Sequence, residues 1–168
     1  MEIKDVKLSY KKIFKQTYVT ALRQGFSDYK DIPNNFLDKF ENDFDKYFDE
    51  LSSNPTIQMF LCYEKDEPIG VIVCGKSNIK NALETDAIID SIYFKKDFCG
   101  KGFAQKAFDF VQNFLINSGY KRIVLWCSLE NKRAWRFYEK NNFKPTNQKW
   151  DDNLDGTIYH NILLVKNF

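Results

Sequence analysis

Between Asp90 and Ala104 the chain reads DSIYFKKDFCGKGFA, a strand-like run that ends in a glycine-containing turn and opens directly onto an amphipathic segment. This stretch constrains the fold more than any other, because a second strand-like run, RIVLWC at Arg122 to Cys127, follows it. Phe103, Ala107, Phe108, Val111, Phe114 and Leu115 form one apolar face of the intervening segment, and Ser118-Gly119 supplies a helix stop. A strand, a crossover helix and an apolar strand suited to burial on both faces predict a right-handed βαβ unit. The turn also carries chemistry. N–H groups at a helix start lack intrahelical partners and lie at the positive end of the helix dipole. Gly100 and Gly102 let a backbone approach closely, and Lys101 adds charge, so the turn is a candidate phosphate cradle. An ordinary strand-to-helix turn has the same local sequence. Two familiar phosphate loops are excluded: there is no GxxxxGK[ST], and Gln105 stands where the dinucleotide fingerprint wants glycine or alanine.

Around this unit the apolar spacing predicts the remaining elements. Leu8, Phe14, Tyr18, Val19 and Leu22 recur at three- and four-residue intervals, which predicts a helix over Lys7 to Gln24 ending near Gly25. After Pro33, Phe36, Phe40, Phe44 and Phe48 repeat every four residues, and this stripe is read as core. IQMFLCYE and PIGVIVCGK, separated by EKDEP, predict a hairpin from Ile57 onward, followed by a strand over Ala87 to Phe94. Asn131 to Lys140 reads as a short helix capped by Asn131. Asn142 lies where the chain leaves it, a place where asparagine tolerates a left-handed backbone. A last strand is predicted over Ile158 to Val165. The expected class is therefore α/β or α+β, with a mixed sheet.

The whole chain bounds the function. Its 168 residues suffice for one core and are short for two, so a single domain over 1–168 is expected. No long apolar run or charged-then-apolar leader occurs, which predicts a soluble, cytoplasmic protein that engages no membrane. A net charge of +2 is too mild for a nucleic-acid surface, and no nucleic-acid partner is expected. Cys62, Cys74, Cys99 and Cys127 show no metal spacing and His160 is the only histidine. That argues against a zinc site, against any other metal requirement, and against Ser-His-Asp or Cys-His chemistry.

Two motifs in order carry a resemblance. Cys99-Gly100-Lys101-Gly102-Phe103-Ala104 is similar to the [QR]-x-x-G-x-[GA] pyrophosphate loop of the GNAT superfamily of acyl-CoA-dependent N-acyltransferases. Asn131 to Phe143, NKRAWRFYEKNNF, resembles that family's N-x-x-A-x-x-[FL]-Y-x-x-x-G-F segment. Separated by one amphipathic helix and one apolar strand, they cover roughly Ile57 to Val165. The resemblance implies a GNAT-like mixed, splayed central sheet with helices on both faces, an acyl-CoA-binding core over 57–165 and a helical acceptor-side region over 1–55. It implies acetyl-CoA as cosubstrate, bound at Cys99 to Ala104, with the pyrophosphate on the N–H groups of Gly100 to Ala104, and along the strand edge at Ile92, Tyr93 and Phe94. Within the second motif, Asn131, Ala134 and Phe137 fall on the cofactor side, and Tyr138 matches the tyrosine that protonates the leaving thiolate. For Tyr138 the alternative is a core tyrosine, and for Asn131 a plain helix cap. The sequence departs from the pattern twice, with Cys99 for glutamine or arginine and Asn142 for glycine. Cys99 is read as open to modification rather than catalytic.

The family's strand glutamate has no counterpart, since Ile88 occupies its place in AIIDSIYF. Asp90, two residues on and on the same face by alternation, is the candidate general base through water, and Glu84 is a second candidate. Acidic residues between Asp28 and Glu50 either draw a cationic amine or form the wet face of an amphipathic helix, the latter being favoured. The expected function is acetyl transfer from acetyl-CoA to a primary amine of a small molecule or peptide, by a monomer or homodimer. A non-catalytic acyl-CoA sensor is the rival, and a nucleotide binder is disfavoured by the absent P-loop.

Overall fold

A computed structural model describes residues 1–27, 34–154 and 156–168. Asp28, Asp31 and Pro33, which enter the readings above, lie outside the described residues. Seven strands form one sheet in the order β1-β2-β3-β4-β5-β7-β6: β1 (Glu2–Asp5), β2 (Ile57–Glu64), β3 (Glu67–Lys76), β4 (Asp86–Phe94), β5 (Arg122–Ser128), β6 (Lys144–Leu154) and β7 (Thr157–Asn167). Four α-helices accompany them: α1 (Lys11–Phe26), α2 (Asn34–Ser53), α3 (Phe103–Asn117) and α4 (Lys132–Lys140). All neighbouring strands are antiparallel except β4 and β5.

Helices lie on both faces because each face of the sheet is apolar. Phe14, Tyr18, Val19 and Leu22 of α1 and Leu37, Phe44 and Phe48 of α2 pack on Met59, Leu61, Val71 and Val73. The four-residue phenylalanine spacing of α2 thus builds this core, with Phe44 and Phe48 wholly buried. On the other face Ala107, Phe108, Val111 and Leu115 of α3 meet Phe60, Ile72, Ile89, Ile123, Leu125 and Leu164. The α2 carboxylates point away from the core and pair with α1: Arg23 binds Asp38 and Glu41 at 2.6 and 2.8 Å, and Lys11 reaches Asp49 at 2.7 Å. These described acids form the wet face of α2.

Three elements differ from expectation. The chain begins with β1, which pairs with β2 before the first helix. That helix starts at Lys11 because Leu8, counted in its apolar stripe, is 73% exposed in a 3-10 turn. A long strand, β6, precedes the expected last strand and forms a hairpin with it.

The feature that positions the site is the divergence of β4 and β5. They pair only at Asp86↔Arg122, Ala87↔Ile123 and Ile88↔Val124. At the foot of this pair the buried Asp86 carboxylate accepts two hydrogen bonds from the Arg122 guanidinium, at 2.8 and 2.5 Å. Beyond Ile88, β4 keeps β3 as a neighbour up to Phe94 but has β5 on its other side no longer.

Candidate active site

The glycine turn closes the split at the C-terminal end of β4. Gly100 and Gly102 have φ of +75° and +84°, and a Cβ built on either would meet no atom within 4 Å. Glycine is required there by backbone conformation rather than by crowding. Gly102 is the N-cap of α3 and no side chain caps the helix; the first helical bond in the turn is Lys106 N–H to Gly102 O, at 3.2 Å. The N–H groups of the first turn therefore remain open to an anion. Lys101 is exposed, its ammonium 5.8 Å from the Phe98 ring centre. Cys99 turns its thiol back to the carbonyls of Phe94 and Lys95, at 3.6 and 3.5 Å, where the family pattern has a glutamine or arginine side chain.

Ile92, Tyr93 and Phe94 lie on the part of β4 that has no β5 partner, so one edge of their backbone faces the split. Tyr138, on α4, packs half-buried against the core cluster that includes Ile89 and Phe94 of β4 and Leu125 and Cys127 of β5. Its ring packs between Phe137 and Phe143, with centroids 5.5 and 5.4 Å away, and burial, with smaller effects of Cys127 and Tyr93, pushes its phenol well above the ordinary range. It is a neutral donor at any physiological pH. Asn131 caps α4 by accepting from Ala134 N–H at 2.9 Å, and Phe137 stacks edge-on against Phe108 of α3.

Asp90 sits at a β-bulge. Val73 pairs with Ser91 and Cys74 with Ile89, which leaves Asp90 as the extra residue. The bulge reverses the alternation: Ile89 packs on the α3 side, whereas Ser91 bonds Tyr18 and Tyr93 packs on the α1–α2 side. Asp90 is exposed, and its carboxylate accepts hydrogen bonds from Tyr47 and Ser91. Glu84 is exposed and hydrogen-bonded to Lys76 in the loop before β4.

Sequence reasoning did not find three contributors. Tyr18 and Tyr47 reach the bulge through their hydroxyls although both belong to the helical core stripes. Gln105, in the first turn of α3, exchanges amide hydrogen bonds with the buried Asn141 at 2.7 and 3.1 Å, which ties the glycine turn to the end of the Tyr138 helix. Asn142 follows with φ of +65°. Trp126, on β5 two residues beyond the last parallel pair, packs in the cluster of Ile88, Val124 and Leu163, with its ring 6.0 Å from the half-exposed Trp150. Among the described residues no group of histidine, cysteine or carboxylate side chains is arranged to hold a metal.

A short parallel pair that diverges within an otherwise antiparallel sheet defines the class of this fold, and comparison gives the family. The model of the acetyltransferase (GNAT) family matches residues 20–143, and the chain belongs to that family. An uncharacterised N-acetyltransferase of Methanocaldococcus jannaschii is 27% identical over 99 residues, 58% of this chain; the chain spans 44% of that relative's length. N-alpha-acetyltransferase 30 of Schizosaccharomyces pombe is 26% identical over 108 residues, 64% of this chain and 71% of the relative. The crystal structure of PaiA N-acetyltransferase of Thermoplasma acidophilum, solved in complex with coenzyme A, superimposes with a TM-score of 0.71 over 100% of both chains at 15% identity. The splayed GNAT sheet with helices on both faces is thus the fold of this chain, and none of its described helices is long and apolar enough to cross a membrane.

Proposed function

We propose that the protein is an acetyl-CoA-dependent N-acetyltransferase that transfers the acetyl group directly to a primary amine of a small molecule or peptide. The observation that carries this reading is the uncapped α3 terminus beside the unpaired edge of β4, with Tyr138 of α4 packed against the core of both diverging strands. The N–H groups from Gly100 to Ala104 would hold the CoA pyrophosphate, and the free edge at Ile92, Tyr93 and Phe94 would pair with the pantetheine amides as an added strand. Asn131, Ala134 and Phe137 would line the α4 side of this arm. On this reading the whole chain acts as one unit, with 57–165 as the acyl-CoA core and 1–55 as the acceptor side.

Bound acetyl-CoA supplies an activated thioester. The amine nitrogen forms a bond to the acetyl carbon as the carbon–sulfur bond breaks. Asp90 takes up, through water, the proton the amine loses, and the Tyr138 phenol gives its proton to the departing sulfur; both groups then return to their starting states by exchange with solvent. A phenol held well above its ordinary range stays protonated until that charge develops.

Tyr138→Phe tests the assignment by free-thiol release with a panel of amines. Turnover falls at least about 100-fold, the usual scale of a lost acid–base group, while acetyl-CoA binding is retained. Full turnover in this variant overturns the role of Tyr138. Binding of acetyl-CoA by the unaltered protein without thiol release from any amine would instead indicate a sensor.

A further inference from the structure

Two hydroxyls converge on the bulged carboxylate and a third backs one of them. Tyr47 Oη of α2 and Ser91 Oγ both donate to Asp90 Oδ2, each at 3.0 Å. Tyr18 Oη of α1 lies 2.5 Å from Ser91 Oγ. A hydroxyl has one proton to give, and Ser91 gives its proton to Asp90. Tyr18 is then the donor to Ser91, so two protons point at one carboxylate oxygen and the third at the serine oxygen behind it. Oδ1 accepts no hydrogen bond from any described residue, and Asp90 is exposed, whereas Tyr18 and Ser91 are each 4% exposed.

The surroundings leave the hydroxyls in charge of this group. Tyr18 faces it from α1, Tyr47 from α2, and Ser91 and Tyr93 from β4, the Tyr93 ring standing 5.4 Å from that of Tyr18. Among the described residues no lysine or arginine makes an ion pair with Asp90. Burial, followed by neighbouring Tyr47 and Asp90 for Tyr18, and by Asp90 for Tyr47, keeps both phenols well above their ordinary range, so they remain donors wherever the protein is folded.

We propose that Tyr47, Ser91 and Tyr18 are positioning residues that pin Asp90 Oδ2 at the bulge and present Oδ1 alone to the acceptor amine. This rests on the proton-accepting role given to Asp90 above. It also makes α1 and α2 part of the machinery, because each helix contributes one of the two phenols.

The test is a comparison of kcat and KM for an accepted amine, with acetyl-CoA affinity by calorimetry, in the unaltered protein, Tyr47→Phe, Asp90→Asn and the double variant. The expected result is a fall in kcat of about tenfold in Tyr47→Phe, the scale of one hydrogen bond to a charged group, with acetyl-CoA affinity unchanged and no further fall when Tyr47→Phe is added to Asp90→Asn. Tyr47→Phe keeps the ring in the core; if it fails to fold, Ser91→Ala carries the same expectation. Full kcat in Tyr47→Phe, or an equal fall in the Asp90→Asn background, overturns the hydroxyl network. Full kcat in Asp90→Asn overturns Asp90 as the proton acceptor, and with it the catalytic use of the network.

Discussion

Gly102 shows how much chemistry one residue can set. Its φ of +84° is open to glycine and costs other residues about 1–2 kcal/mol, while the space around it is empty. Gly102→Ala should therefore leave the packing intact and distort only the turn that begins α3. Acetyl-CoA affinity measured by calorimetry is expected to fall about tenfold, the equivalent of 1.4 kcal/mol. An unchanged affinity would mean that the cradle does not hold the pyrophosphate. This turn was legible in the sequence because glycine spacing and helix onset are local. The partners of Asp90 were not legible, since Tyr18 and Tyr47 lie 73 and 43 positions from the atoms they bond, and their spacing in helical stripes marks them only as core. Asn131 was legible as a cap, and its hydrogen bond to Ala134 N–H is that cap.

At the scale of elements, the split depends on a short parallel pair fastened at its foot. Burial alone would raise the Asp86 carboxyl, but hydrogen bonds from Arg122 and from Leu83 N–H, with the guanidinium charge, hold it below its ordinary 3.8. A carboxyl depressed in the folded state adds stability above that value and loses it as pH falls through the folded value. Arg122→Met leaves the carboxylate buried without its cation and should cost about 3 kcal/mol at pH 7. The sign of the acid dependence should also reverse, because an unpaired buried carboxyl prefers to be protonated, so the variant gains relative stability on acidification. Urea unfolding at pH 7 and pH 4 checks both statements, and equal losses at the two pH values would contradict them. The elements missed by pattern share a physical cause. The sequence of β1 is only EIKD, too short for alternation to register. The polar run KPTNQKWDDNL of β6 is held at the sheet edge by backbone pairing with β7 rather than by an apolar face. The bulge at Asp90 is equally silent, since AIIDSIYF gives no mark of where one residue is left unpaired.

For the whole molecule, two apolar layers on opposite faces hold a sheet that is continuous at its foot and divided above Ile88. The layers follow from helical periodicity, which is why the α/β class could be read from the chain. The division could not be, because both diverging strands are apolar and look like partners along their full length. Only the two motifs around the crossover, through their likeness to one family, pointed to a splayed sheet, and family membership and fold agree with that. The central claim is that the division is an acetyl-CoA site. Thermal unfolding of the unaltered protein, alone and with saturating acetyl-CoA, CoA or ATP, tests it most directly. Ligand at about one hundred times its dissociation constant adds about 2.7 kcal/mol of stability. The account predicts a rise in unfolding temperature with acetyl-CoA and CoA and a smaller rise or none with ATP; no rise with either thioester or thiol, or a larger one with ATP, would contradict it.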